Sequence, residues 1–490
     1  MKVNYYMDLI KILKTHFENN GTAVSEKSGD YSYSDFCKHC LYARAYFLEH
    51  NINKVLITAP QGFYAYTLIW GAYLAGTTFC PVNIGLPEDR KDYFIKQFEP
   101  DLIIDTEIQI GAKSERLTTP ESFFKNADQF LPHFEFEVPQ IDSTAYIIFT
   151  SGSTGLPKGV MIPRKSLNNF IAFSAQEFGS SSNDVWGQYS NLGFDISILD
   201  IFTAIISGAA LVPFPGTAEK LLPAKNIKDK KITIWHSVPS AIDLMLKTNH
   251  INKDIFGHVK TMIFGGERLF PSQVQLLFEA NPELIIYNCY GPTETTIYAT
   301  YQKLTKDDYM GYCTHTVSIG KPLTNYELVL QNKEENLSEL VILGDYIASG
   351  YLGSKDNSAN TAFKELVIDG IKKWSYATGD YVEYVNNNLY YVCRKDSQIK
   401  IKGNRIDLSE IDYALREYGC ITNITTCVDD KIIAFVVLKD YNEASLQDYL
   451  KKKLPAYYVP NKIINKNSLP FNSSGKIDIK QLTSELIHHQ

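Results

Sequence analysis

Residues 143–160 read STAYIIFTSGSTGLPKGV. The run Ala145 to Phe149 is apolar, β-branched and aromatic, the composition of a strand buried in a sheet. It leads straight into Thr150-Ser151-Gly152-Ser153-Thr154-Gly155-Leu156-Pro157-Lys158-Gly159. Glycines at 152, 155 and 159 let backbone N–H groups approach an anion closely, the hydroxyls add donors, and Lys158 adds a mobile positive charge. A buried strand feeding such a loop predicts a phosphate-gripping turn in an α/β fold. The loop is not a Walker sequence, because no Gly-Lys-Ser/Thr follows at the required spacing.

The same design recurs twice downstream. Thr261-Met262-Ile263-Phe264 runs into Gly265-Gly266-Glu267, and Leu284 to Cys289, which includes Asn288, runs into Tyr290-Gly291-Pro292-Thr293-Glu294-Thr295. Three strands that end in small, polar turns predict a ligand lying across the carboxyl edge of a sheet. Between them, Asp195 sits in the otherwise apolar stretch Asn191 to Asp200. A carboxylate there is costly unless it meets a cation or caps the helix that the apolar run implies. Further on, Tyr376-Ala377-Thr378-Gly379-Asp380 places a second carboxylate just after an expected tight turn.

At 490 residues, 44% hydrophobic and 21% charged, the chain exceeds a single core and is expected to form at least two domains. Its net charge of −7 argues against nucleic acid as a partner. Eight cysteines include one Cys-x-x-Cys pair, Cys37 and Cys40, and no second pair to complete a metal site, which fits a reducing cytoplasm better than a disulfide framework or a zinc site. Charges interrupt every apolar run of residues 1–20, so this segment predicts an amphipathic helix and not a signal peptide. Val55 to Pro87 lacks charge and is long enough to span a bilayer, yet its Pro, Gln, Asn and Tyr content predicts strand, core helix and strand, without membrane insertion. From Arg394 onward Lys+Arg number 15 against 12 Asp+Glu, while the preceding residues carry 33 against 43. A domain boundary is therefore placed there, giving domains 1–393 and 394–490. In the second, Leu408 to Tyr418 and Ala444 to Leu454 read as helices, and Ile421 to Val428 with Ile432 to Leu438 as a hairpin across Asp429-Asp430.

Six separated segments, in order, resemble the adenylate-forming superfamily of acyl-CoA synthetases, luciferases and adenylation domains of nonribosomal peptide synthetases. They are the loop 150–159, the Asp195 stretch, the two strand-to-glycine segments, Tyr376 to Asp380, and Leu469-Pro470-Phe471-Asn472-Ser473-Ser474-Gly475-Lys476. The resemblance implies a large multi-sheet N-terminal domain and a small, mobile C-terminal α/β domain, with ATP and Mg2+ as cofactors. It places Gly265, Gly266 and Glu267 beside the adenine, with Asn288 and Tyr290 at the base and Gly291 also among the nucleotide-binding residues. Thr295 falls on phosphate, Glu294 on magnesium, Asp380 and Arg394 on ribose, and Asp396 at the hinge. Cys393 stands where the family usually has Gly before that arginine. Lys476 matches the catalytic lysine, whose charge would hold the attacking carboxylate beside the α-phosphate. Asp195 matches the aspartate that holds the substrate's α-ammonium in amino-acid-activating members. The implied pocket lining is Asp195, Ile196, Leu199, Ser240, Ile263, Gly265, Cys289, Ile297 and Tyr298, with Lys476 at its mouth.

The sequence is thus identified as a stand-alone amino-acid adenylating enzyme. It would transfer the acyl group to the phosphopantetheine thiol of a separate carrier protein, since the chain ends 14 residues after Lys476 and holds no Gly-Gly-x-Ser attachment site. The lining resembles that of glycine-activating domains and favours glycine or another small neutral amino acid, then a medium apolar one. An acyl- or aryl-CoA ligase and a non-catalytic adenylate-binding protein are the alternatives. Asp195 weighs against the first, because acids without an α-amino group would leave it unpaired.

Overall fold

The uncharged stretch Val55 to Pro87 folds as strand Lys54–Thr58, helix Phe63–Ala75 and strand Thr78–Val82. The helix is buried on nearly every side and stops at Gly76, whose φ of +84° is the left-handed cap that glycine adopts without strain. No helix among the described residues is long and apolar enough to cross a membrane. The computed structural model describes residues 5–106, 117–135, 139–150, 156–334, 337–353, 362–395, 398–470 and 477–487.

A buried cation closes the end of this helix. Arg164, 1% exposed, donates to the Tyr73 carbonyl in the last turn at 2.6 Å and to the Thr77 carbonyl just beyond the helix at 2.9 Å, at the negative end of its dipole. Arg164→Met keeps the bulk and removes both bonds, together with the 3.0 Å bond that Arg164 Nε donates to the Ser143 hydroxyl. It is expected to cost roughly 3 kcal/mol, and an unchanged midpoint in thermal unfolding would contradict that role.

The chain forms two units, one of residues 1–84, 98–148 and 159–393, the other of 85–97, 149–158 and 394–490. Two segments of N-terminal sequence thus group with the second unit, which sequence reading did not foresee. In the first unit a nine-stranded sheet runs Lys321–Pro322, Thr300–Leu304, Ile285–Tyr290, Thr261–Phe264, Ile234–Ser237, Val185–Gln188, Ala210–Pro213, Thr22–Ser25 and Asp30–Ser32. Its strands from Ile285–Tyr290 to Thr22–Ser25 are parallel, and antiparallel strands flank them. A seven-stranded sheet holds Thr144–Thr150 beside Thr78–Val82, with Phe79 opposite Tyr146. A five-stranded antiparallel sheet contains the long strand Ile371–Val385. Helices Tyr33–Glu49, Phe63–Ala75 and Ile196–Ser207 contribute to one apolar core, in which Trp70 stacks on Phe202 at 4.5 Å.

The second unit carries helix Leu408–Tyr418 and the hairpin Thr422–Val428 with Lys431–Val437, joined in parallel to Lys462–Asn465. Asp429 and Asp430 turn the hairpin at φ +48° and +57°. Consecutive left-handed residues match the right-handed twist of the strands they join, and Asp tolerates that conformation. Helix Glu443–Lys453 completes the expected pattern.

Candidate active site

Three neighbouring parallel strands stand in register at Ser237, Phe264 and Asn288, and the turns that follow them carry most of the expected site. The first two turns are tied together. The backbone N–H of Ser240, at the start of helix Ser240–Lys247, donates to the Glu267 carboxylate at 2.9 Å. Gly266, at φ +81°, lets the chain reverse between them.

The turn after the third strand is strained. Thr293–Thr295 forms one turn of 3-10 helix, then Thr296 and Ile297 both take left-handed backbone, at φ +64° and +68°. Two β-branched residues in that region are costly, and such strain persists only where its surroundings enforce it. Here Thr296 Oγ1 donates to the Tyr346 carbonyl at 2.8 Å and the Ala299 N–H to the Tyr290 carbonyl at 2.8 Å. Gly291 lies so close beneath that a Cβ there would sit 2.6 Å from the Tyr298 Cα. The chain is thereby forced to present Ile297 and Tyr298 inward, both 1% exposed.

Asp195 precedes helix Ile196–Ser207 at φ −63°, and its side chain does not cap the helix, so the capping alternative fails. It is 7% exposed. Burial first, and then the charge of nearby Asp195, push the Tyr146 hydroxyl well above its usual pKa; Tyr298 is raised by burial, by Cys289 and by Asp195 and Asp200. Ile196, Leu199, Ile263, Gly265 and Cys289 are buried in the same unit, and Ser240 is half-buried. No ionisable side chain other than Asp195, Cys289 and Tyr298 belongs to this described set.

Asp380 is 1% exposed and accepts a 2.5 Å hydrogen bond from the Tyr290 hydroxyl. The tight turn expected before it is instead a bulge inside the continuous strand Ile371–Val385. The pairing shifts between Glu339 opposite Tyr381 and Val341 opposite Ala377, Gly379 takes φ +69°, and Thr378 Oγ1 bonds the Leu340 carbonyl at 2.7 Å. A bulge re-aims a side chain that a regular strand would turn elsewhere.

Two expected ligand contacts are engaged internally. Asn288 donates its amide to the Ser318 carbonyl at 2.8 Å, and Thr295, fully buried, gives its one hydroxyl proton to the Pro292 carbonyl at 3.0 Å. Glu294, 1% exposed, accepts from the Tyr351 hydroxyl at 2.8 Å. No group of three or more potential metal ligands occurs among the described residues. A single carboxylate nonetheless suits Mg2+, which keeps waters and takes further oxygens from substrate phosphates. Thr150, Lys158 and Arg394 belong to the second unit. Ser151 to Gly155, Asp396 and Lys476 lie outside the described residues.

Sequence reading overlooked a buried chain behind the lining. His236 Nδ1 lies 2.6 Å from Asp200 Oδ1, and its Nε2 lies 2.8 Å from the Tyr298 hydroxyl. Burial pushes the Asp200 carboxyl up to about 6, against the pull of His236. The available signal was a second carboxylate five residues after Asp195 in an apolar helix, and one histidine inside the apolar strand Ile234–Ser237.

With this geometry in view, residues 15–352 match the family described as AMP-binding enzyme. The chain belongs to that family. This AMP-binding enzyme is 30% identical over 445 residues to the D-alanine--D-alanyl carrier protein ligase of Listeria monocytogenes, covering 85% of this chain and 86% of the relative. Bacitracin synthase 1 of Bacillus licheniformis is 30% identical over 87% of this chain, which corresponds to 8% of that protein. The Vibrio cholerae adenylation domain AlmE, solved in complex with glycyl-adenosine-5'-phosphate, superposes with a TM-score of 0.85 at 24% identity, covering 100% of this chain and 98% of that one. The mixed α/β fold of the AMP-binding enzyme, with a large N-terminal and a smaller C-terminal part, is thus that of adenylation domains.

Proposed function

We propose that this enzyme activates a small neutral amino acid, glycine first, as its aminoacyl-AMP and then passes it to the phosphopantetheine thiol of a separate carrier protein. The observation that carries the reading is Asp195, a buried carboxylate within a lining that is otherwise neutral. Such a group favours a substrate that brings a cation and penalises one that does not. The carrier-protein ligase relative supports the thiol acceptor, and the glycyl-adenylate held by the similar fold supports a small amino acid.

In the first half-reaction a substrate carboxylate oxygen bonds to the α-phosphorus of ATP, the bond to the β-phosphate oxygen breaks, and pyrophosphate leaves. Asp195 receives the α-ammonium. Asp380, fixed by Tyr290, is assigned to the ribose hydroxyls, and the loop 150–158 to the phosphates. Glu294 would hold Mg2+, which screens the triphosphate charge when bound. Lys476 is assigned to the charge that develops between carboxylate and α-phosphate. In the second half-reaction the carrier thiolate attacks the acyl carbonyl and AMP departs. A charged side chain on the substrate would be desolvated without a partner, at a cost of several kcal/mol.

Amino-acid-dependent exchange of labelled pyrophosphate into ATP tests the reading across the common amino acids and D-alanine. Glycine or alanine should lead. Strongest exchange with lysine, arginine, aspartate or glutamate would sink the pocket assignment, and preference for an acid without an α-amino group would point to a CoA ligase. Domain alternation between the half-reactions is assigned to a hinge at Asp396. Asp396→Pro is therefore expected to keep adenylate formation and lose thioester formation. A parallel fall of both would remove the hinge assignment.

A further inference from the structure

Tyr298 is held from three directions. Its backbone is aimed by the strained pair Thr296 and Ile297. Its ring lies over Gly265, where a Cβ would meet the hydroxyl oxygen at 2.2 Å and ring carbons at 2.4 and 2.5 Å. Its hydroxyl ends the chain through His236 to Asp200, and both of those side chains are wholly buried. With the Asp200 carboxylate ionised, His236 Nδ1 carries the proton it donates, and Nε2 accepts from Tyr298.

We propose that Asp200 and His236 are positioning residues that clamp the Tyr298 ring over Gly265, and that this clamp sets the largest amino-acid side chain the pocket admits. The inference rests on the adenylation reading. An aromatic ring alone would yield to a larger substrate by rotating, because a pocket that is merely filled discriminates weakly. Rotation here strips a buried imidazole nitrogen of its partner and works against the backbone that Thr296 and Ile297 fix. Helix Ile196–Ser207 begins directly after Asp195 and carries Asp200 five residues later, so one helix adjoins the proposed ammonium site and holds the end of the chain that anchors Tyr298.

The test compares pyrophosphate exchange for glycine, D- and L-alanine, L-valine and L-leucine in the parent enzyme and in Tyr298→Phe, His236→Asn and His236→Gln. Phenylalanine keeps the ring and loses the bond to His236. Asparagine keeps a donor for Asp200 but falls short of Tyr298, whereas glutamine reaches it. In Tyr298→Phe and His236→Asn, kcat/KM for valine relative to glycine is expected to rise about 10-fold or more. The change should lie in KM for the amino acid and not in KM for ATP, and His236→Gln should return towards the parent ranking. A ranking unmoved in both loosening variants overturns the clamp while leaving adenylation intact. If the parent enzyme supports no exchange with any amino acid, the adenylation reading falls and the clamp with it.

Discussion

Lys476→Ala is expected to abolish adenylate formation while leaving ATP binding in place. The assignment gives Lys476 a role in the transition state, where negative charge from the attacking carboxylate and the α-phosphate meets, and a smaller one in the ground state. Losing one well-placed positive charge at that point costs roughly 3 kcal/mol or more, about 100-fold or beyond in rate. The deficit should therefore fall on kcat for pyrophosphate exchange, with the dissociation constant for ATP changed by far less. Single-turnover measurement with chemically prepared aminoacyl-AMP separates the steps further, since thiol transfer from that intermediate does not pass through the same transition state. Near-normal exchange in the variant would remove Lys476 from the chemistry.

Local patterns carried much of the fold. Val55 to Thr58, the helix from Phe63 and the following strand were legible because each is a short uncharged apolar run set off by glycine, proline or asparagine. The hairpin at Asp429-Asp430 was legible because two turn-tolerant residues separate two apolar strands. Pairings between distant segments were not. Nothing near Asp380 announces that its strand runs on through a bulge, since the bulge is defined by Leu340 on another strand. Nor does the sequence around Glu294 name Tyr351 as its partner. The chain from Asp200 through His236 to Tyr298 joins a helix, a strand and a loop that are 36 and 62 residues apart. Each residue taken alone reads as an ordinary buried polar group, and only the fold makes them a unit. The resemblance to adenylate-forming enzymes implied a lining role for positions such as Tyr298 without saying what holds them.

Asp195→Ala separates recognition of the amino group from catalysis, and its expected signature is a reversal of preference and not a uniform loss. For glycine, removal of the carboxylate leaves a buried ammonium without its counter-ion, at a cost of roughly 3 to 5 kcal/mol, on the order of 1,000-fold in kcat/KM. For acetate or propionate, which bring no cation, the same change removes a buried negative charge that repels the substrate's own carboxylate. Exchange with these acids should rise in the variant while exchange with glycine collapses. Asp195→Asn should lie between the two, because its amide is neutral but still offers an acceptor oxygen. Equal losses for glycine and acetate would show that Asp195 supports the fold of helix Ile196–Ser207 and not the ligand. A loss of only a few-fold for glycine would place the ammonium elsewhere.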